Sequence, residues 1–66
     1  MSRSWSVEEL ARQLEAINVS APSVALFRKE AIDGIAFASL TDDDLKQELK
    51  LPLGDRKKVQ QLRDGK

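Results

Sequence analysis

Residues 32–59 read IDGIAFASLTDDDLKQELKLPLGDRKKV, and the fold is decided inside this stretch. Its centre, Thr41-Asp42-Asp43-Asp44, has the chemistry of a helix start. Thr41 can cap the first free N–H groups, and three carboxylates follow at the positive end of the helix dipole, each worth about 0.3–1 kcal/mol. Leu45 and Leu49 give that helix one apolar side. Pro52 ends it, and Leu53-Gly54 leads into a further helix predicted from Asp55 to about residue 63. Val59 and Leu62 face inward there, leaving Arg56, Lys57, Gln60 and Arg63 largely outward. Upstream, Asp33 suits an N-cap and Gly34 a tight entry, which predicts a short helix over residues 35–39 that buries Phe37 and leads to Leu40.

Working outward, Ser6 and Glu9 have the spacing of a capping box, and Leu10, Leu14 and Ile17 then recur at helical spacing. Trp5 stands just before the cap, placed to cover the end of the core. A second helix is predicted to begin near Ser20-Ala21-Pro22, because proline is tolerated only in a first turn. Val24 and Phe27 give its inward face, with Leu26 an addition. No convincing period-2 strand, internal repeat or low-complexity segment is visible. Short helices joined by short connections imply an all-α fold, a compact and irregular bundle of five short helices rather than long antiparallel rods.

At 66 residues the chain is one small domain near the lower limit for a self-sufficient core. Apolar residues at 41% and charged residues at 33% read as globular rather than disordered. With no histidine and no cysteine, the usual general base and the usual thiol nucleophile are both missing, so the chain is not expected to be an enzyme. Gly34, Gly54 and Gly65 are isolated, and Asp55 would put a carboxylate where a phosphate loop needs an anion site. The contiguous aspartates lack the alternating ligand pattern of a calcium loop, so no metal site and no cofactor are expected. No small-molecule substrate is implied. No apolar run approaches the roughly 18 residues of a membrane span and no signal peptide precedes Trp5, which predicts a module inside the cell, cytoplasmic or nuclear, without membrane insertion.

Charge is segregated along the chain. Between Glu30 and Glu48 six carboxylates oppose Lys46 alone, a net of −5, whereas from Leu49 to Lys66 six cations oppose Asp55 and Asp64, a net of +4. The first 29 residues add +1, so the chain is neutral overall. A neutral molecule with one negative and one positive pole can bind copies of itself head to tail, provided the two poles are not already paired within one molecule. The acidic run also serves the helix dipole, but two carboxylates would suffice for that. Arg56, Lys57 and Lys58 stand at the predicted start of the last helix, where cations oppose the dipole, which points to an external anionic partner.

Taken in order, Trp5, Glu9, Leu10 and Leu14, then Phe27, Ile32-Asp33-Gly34, Leu40-Thr41, Asp44-Leu45-Lys46 and Leu53-Gly54-Asp55-Arg56-Lys57-Lys58-Val59 resemble the sterile alpha motif (SAM) domain. The likeness spans residues 5–62, within a single SAM-like domain over 1–66. No single element is specific; their order and spacing are. The chain departs from the pattern at a few points. It is one residue longer between Ile17 and Phe27, and Ser23 replaces the aromatic residue four before Phe27, which predicts a second helix that is tilted or less tightly packed. Lys50 replaces a glycine, and a left-handed residue there would cost roughly 1 kcal/mol more than glycine. The last helix meets Gly65 sooner than is common in the family. No tyrosine is present, so no phosphotyrosine docking site can be built.

The resemblance implies a five-helix bundle used for association, without catalytic activity. SAM-like domains commonly join through a mid-loop surface on one molecule and an end-helix surface on the next. Mapped residue by residue, the mid-loop candidates are Asp33, Asp42, Asp43, Asp44, Gln47 and Glu48. The end-helix candidates are Leu53, Gly54, Asp55, Arg56, Lys57 and Lys58. The implied function is head-to-tail self-association, as an oligomer or filament, or heterotypic binding to another SAM domain. The alternative is RNA: a branch similar to Smaug-type translational repressors reads RNA hairpins with basic residues at the start of the fifth helix. Arg56, Lys57 and Lys58 could serve there, joined by Arg12. Against RNA stand Asp55, which would face the phosphates, and a pI near 6.2.

Overall fold

The computed structural model describes residues 4–65. Five helices follow one another: Val7–Ala16, Ala21–Lys29, Gly34–Ala38, a fourth wound as a π-turn over Asp44–Glu48, and Leu53–Asp64. The expected five-helix, all-α architecture is present, with a Cα radius of gyration of 10.2 Å against about 11 Å for a compact domain of this length.

The first helix opens on the predicted capping box. The Glu9 N–H donates to Ser6 Oγ at 3.2 Å, and the Ser6 N–H donates to Glu9 Oε1 at 2.8 Å. That backbone donation from Ser6 holds the Glu9 carboxyl below the usual carboxylate range. Leu10, Ala11 and Leu14 are buried, and Ile17 at the helix end is half-buried. The second helix follows directly on Ser20 and has proline in its first turn, as predicted, and buries Ser23, Val24 and Phe27. Its packing is tight rather than loosened: Ser23 is 2% exposed and Phe27 1%. Arg28 spans the two helices, with Nε 3.2 Å from Glu8 Oε2 and Nη2 3.9 Å from Glu15 Oε2. Those groups are exposed, so the pairs contribute only about 0–1 kcal/mol each.

The third helix is capped by Asp33, whose Oδ1 accepts from the Ala36 N–H at 3.0 Å. Phe37 is fully buried, and Trp5 lies against it with ring centroids 6.5 Å apart. The Gly34 N–H donates to the Trp5 carbonyl at 2.8 Å, fastening the start of the chain over this end of the core.

The fourth helix departs from regular winding. Thr41 Oγ1 accepts from the Asp44 N–H at 3.1 Å while Asp44 Oδ2 accepts from the Thr41 N–H at 3.0 Å, so the two cap one another. The chain then widens: the Leu49 N–H donates to the Asp44 carbonyl at 3.1 Å, five residues back. The wider turn is followed by Lys50 in the left-handed region at φ 55, as the missing glycine predicts. Together they bring Leu51 to the core beside Leu45 and Leu49, a burial the sequence pattern did not identify. Ala31 adopts a similar conformation at φ 54. The fifth helix begins at Leu53, two residues before the predicted start, because Pro52 serves as its N-cap residue. Gly65, at φ 77, closes it.

Candidate interaction surfaces

Starting the last helix at Leu53 moves Asp55 into its first turn and changes that residue's role. Asp55 is 7% exposed, and its carboxylate turns inward onto the second helix. It accepts from the Ser20 N–H at 3.2 Å, the Ser20 hydroxyl at 2.5 Å and the Ser23 hydroxyl at 2.7 Å. Burial pushes its carboxyl up, but the donations from Ser20 and Ser23, with the Lys58 ammonium nearby, outweigh burial and leave it below the usual range. Asp55 is therefore a tie between two helices, buried where the sequence reading had it exposed toward phosphates. It also gives Ser23 a role: its short side chain places a hydroxyl within 2.7 Å of this buried carboxylate.

The basic run is divided in the same way. Arg56 was expected outward, yet its side chain is only 18% exposed. Its Nη1 donates to the Leu51 carbonyl at 2.9 Å and its Nε lies 3.8 Å from Asp42 Oδ1. The same Asp42 oxygen accepts a hydrogen bond from Gln60 Nε2. Arg63, also expected outward, folds down to donate to the Leu40 carbonyl. Arginine forks thus close the carbonyls at both ends of the segment carrying the fourth helix. Lys58 donates to the Asn18 carbonyl at 2.9 Å. Lys57 and Lys58 lie beyond the first helical turn, so the dipole conflict read from the sequence does not apply to them, since that effect falls off within one turn.

The acidic run divides as well. Asp33 and Asp44 are half-buried caps, and Asp42 is engaged with Arg56 and Gln60. Asp43, Gln47 and Glu48 are exposed, and among the described residues neither Asp43 nor Glu48 lies in an ion pair. No three of the described acidic side chains converge closely enough to hold a metal ion. On the basic side Leu53, Gly54 and Lys57 remain exposed. Leu53 is 60% exposed, and a Cβ added to Gly54 would meet nothing within 4 Å, so this corner is open. The poles are thus partly paired within the molecule, through Asp42 and Arg56, and partly left over.

Ile35 was missed. It is 69% exposed on the third helix, beside a shallow hollow lined by Ser4, Ala38 and Ser39. With Gly34 and Phe37 turned inward, the helical period carries the intervening isoleucine away from the core, so the sequence held a signal for it.

No described helix is long and apolar enough to cross a membrane. A family model for the SAM domain (sterile alpha motif) matches residues 2–62. Among solved structures, the chain is similar to a chain described as "Crystal structure of the Scm-SAM and Sfmbt-SAM heterodimer". The two share 30% identity at a TM-score of 0.87, over 98% of this chain and 85% of that one. Sequence match and three-dimensional likeness agree with the capped five-helix bundle described above, and the chain belongs to the SAM domain family, a family of protein-interaction modules.

Proposed function

We propose that this domain works by association and not by catalysis, binding another SAM domain, its own copy or a different one, in head-to-tail orientation. The acidic contribution comes from Asp43, Gln47 and Glu48, and the basic contribution from Leu53, Gly54 and Lys57. The observation that carries this reading is the division of each charged run. Asp33, Asp42, Asp44, Asp55, Arg56 and Lys58 have partners inside the fold, whereas Asp43, Glu48 and Lys57 are exposed and outside any ion pair among the described residues. Leu53 adds apolar area beside Lys57, one helical turn away. The similar solved structure is a heterodimer of two SAM domains, which supports a SAM partner here.

The contact uses unlike faces, so each bound subunit still offers one free face, and growth continues unless the rotation closes a ring. Exposed charges set orientation and encounter rate more than affinity, so binding weakens as salt rises. An intracellular setting, cytoplasmic or nuclear, belongs to the same proposal. RNA is supported less, because Arg56 and Lys58 are occupied by Asp42 and by the Leu51 and Asn18 carbonyls.

Sedimentation velocity across concentration and salt tests the reading. Lys57→Glu should abolish growth, and so should the pair Asp43→Lys with Glu48→Lys. A mixture of the two proteins should still form a complex, because each retains one intact face. Absence of any complex in the mixture, with both proteins folded, refutes the faces named here.

A further inference from the structure

The acidic and basic faces meet inside one molecule. Asp42 stands next to the exposed Asp43, and Arg56 stands next to the exposed Lys57. Asp42 and Arg56 are in turn held against each other, with Arg56 Nε 3.8 Å from Asp42 Oδ1. Gln60 Nε2 donates to that same oxygen. One carboxylate oxygen thus faces two donors, and the Gln60 amide has it: Arg56 Nε is buried and has no hydrogen-bond partner among the described residues. A buried donor without an acceptor costs free energy, so this contact is held by charge attraction with its hydrogen bonding incomplete. Its two members also differ in freedom. The Arg56 side chain is 18% exposed and is anchored by Nη1 on the Leu51 carbonyl at 2.9 Å, whereas the Asp42 side chain is 59% exposed. Solvent lies open to the carboxylate, so Asp42 can turn outward while the guanidinium stays on its carbonyl.

We infer, resting on the head-to-tail reading given under Proposed function, that the Asp42–Arg56 contact is a clasp that couples the two docking faces, so that filling one face tightens binding at the other. Closed, the clasp cancels a carboxylate beside the acidic face against a guanidinium beside the basic face. A cation docking at Asp43 and Glu48 also attracts Asp42, which turns outward to meet it. Arg56 is then left beside Lys57 without its counter-charge, and the basic face draws the next carboxylate more strongly. Linkage makes the effect reciprocal: a carboxylate docking at Lys57 offsets Arg56 and releases Asp42 to the acidic face. A free chain is muted at both faces, and its first contact readies it for the second.

The experiment isolates one contact. Lys57→Glu keeps only the acidic face, and Asp43→Asn with Glu48→Gln keeps only the basic face without placing new cations beside Asp42. Isothermal titration calorimetry gives the dissociation constant of this pair, and circular dichroism melts check that each protein is folded. Asp42→Asn is then added to the second protein, where Asp42 lies outside the contact being measured. The amide oxygen still accepts from Gln60 but no longer offsets Arg56. Binding through the basic face should tighten by about threefold to tenfold, and the gain should shrink as salt rises. Glu30→Gln in the same protein removes an exposed carboxylate that lies in no ion pair among the described residues, and so changes net charge equally. It should leave the constant within about twofold. In the parent chain, sedimentation velocity should show a second association step tighter than the first by the same factor, and Asp42→Asn should make the two steps equal. An unchanged or weaker constant with Asp42→Asn, or a gain matched by Glu30→Gln, overturns the clasp and leaves the charged faces standing. Failure of the two starting proteins to form any complex, both being folded, overturns the head-to-tail reading and the clasp with it.

Discussion

Replacing Asp55 by alanine should destabilise the domain out of proportion to the size of the change. The carboxylate receives two hydroxyls and one backbone N–H, all from the start of the second helix. Those donors differ in what happens afterwards. Ser20 is exposed, so water can replace the carboxylate there, whereas Ser23 is 2% exposed and its hydroxyl would be left without the acceptor it uses now. A buried polar group without a partner costs about 1–3 kcal/mol, and each lost bond to a charged acceptor adds to that, so a loss of about 2–4 kcal/mol is expected. Total stability for 66 residues is roughly 3–10 kcal/mol, so the variant should be close to unfolding at 37 °C. Urea titration followed by circular dichroism and by the single tryptophan measures this directly. Ser23→Ala alone should cost about 1 kcal/mol, and the double variant should lose less than the sum, because it removes the stranded hydroxyl along with its acceptor.

The same variant has a pH signature. The folded carboxyl titrates below its unfolded value of about 3.9, so its stabilisation is complete above that pH and is lost as pH falls through the lower folded value. The gap in stability between the parent and Asp55→Asn should therefore be constant near neutrality and shrink below pH about 4. A loss under 0.5 kcal/mol for Asp55→Ala, with an unchanged m-value and no narrowing in acid, would refute the role given to this tie.

Other substitutions separate folding from association. Lys50→Gly and Ala31→Gly relieve left-handed backbone at φ 55 and φ 54, and each should raise stability by about 0.5–1 kcal/mol, or several degrees in a thermal melt. Unchanged melting temperatures would mean those turns carry no strain. Ser6→Ala removes the capping box and should cost about 1 kcal/mol in the same melt. Arg56→Ala should lower stability by about 1–3 kcal/mol through the Leu51 carbonyl it serves, while Lys57→Ala should stay within about 0.5 kcal/mol of the parent. Chemical denaturation of the two variants side by side checks that contrast, and equal losses would contradict it.

Much of the fold was legible because local chemistry and burial agreed. Ser6 with Glu9, Asp33 before Gly34, Thr41 before three aspartates and Pro22 in a first turn each announce a helix start through groups that contact only their near neighbours. The errors came where partners are distant in sequence. Asp55 reads as an exposed acid until Ser20 and Ser23 are brought against it from the second helix. Arg56 and Arg63 read as solvated until Asp42 and the Leu40 carbonyl are brought beside them. A charge pattern gives the sign of a face but not which members are consumed inside, and that division decides which residues remain for a partner. Leu51 was hidden for a different reason: no spacing rule for a regular helix anticipates a π-turn.

The fastening of the fifth helix has a consequence for anything built by repeating this unit. Asp55 fixes its first turn to the second helix, and Arg56 fixes it to the segment just before it. In a head-to-tail row every angular error between the two docking faces is compounded, so a wobble of a few degrees in one domain becomes a bend over several. Two anchors within a single turn remove that wobble at its source, which would give such a row a defined pitch and a long persistence. Loosening the Arg56 anchor should produce curled or short rows while the domain itself stays folded.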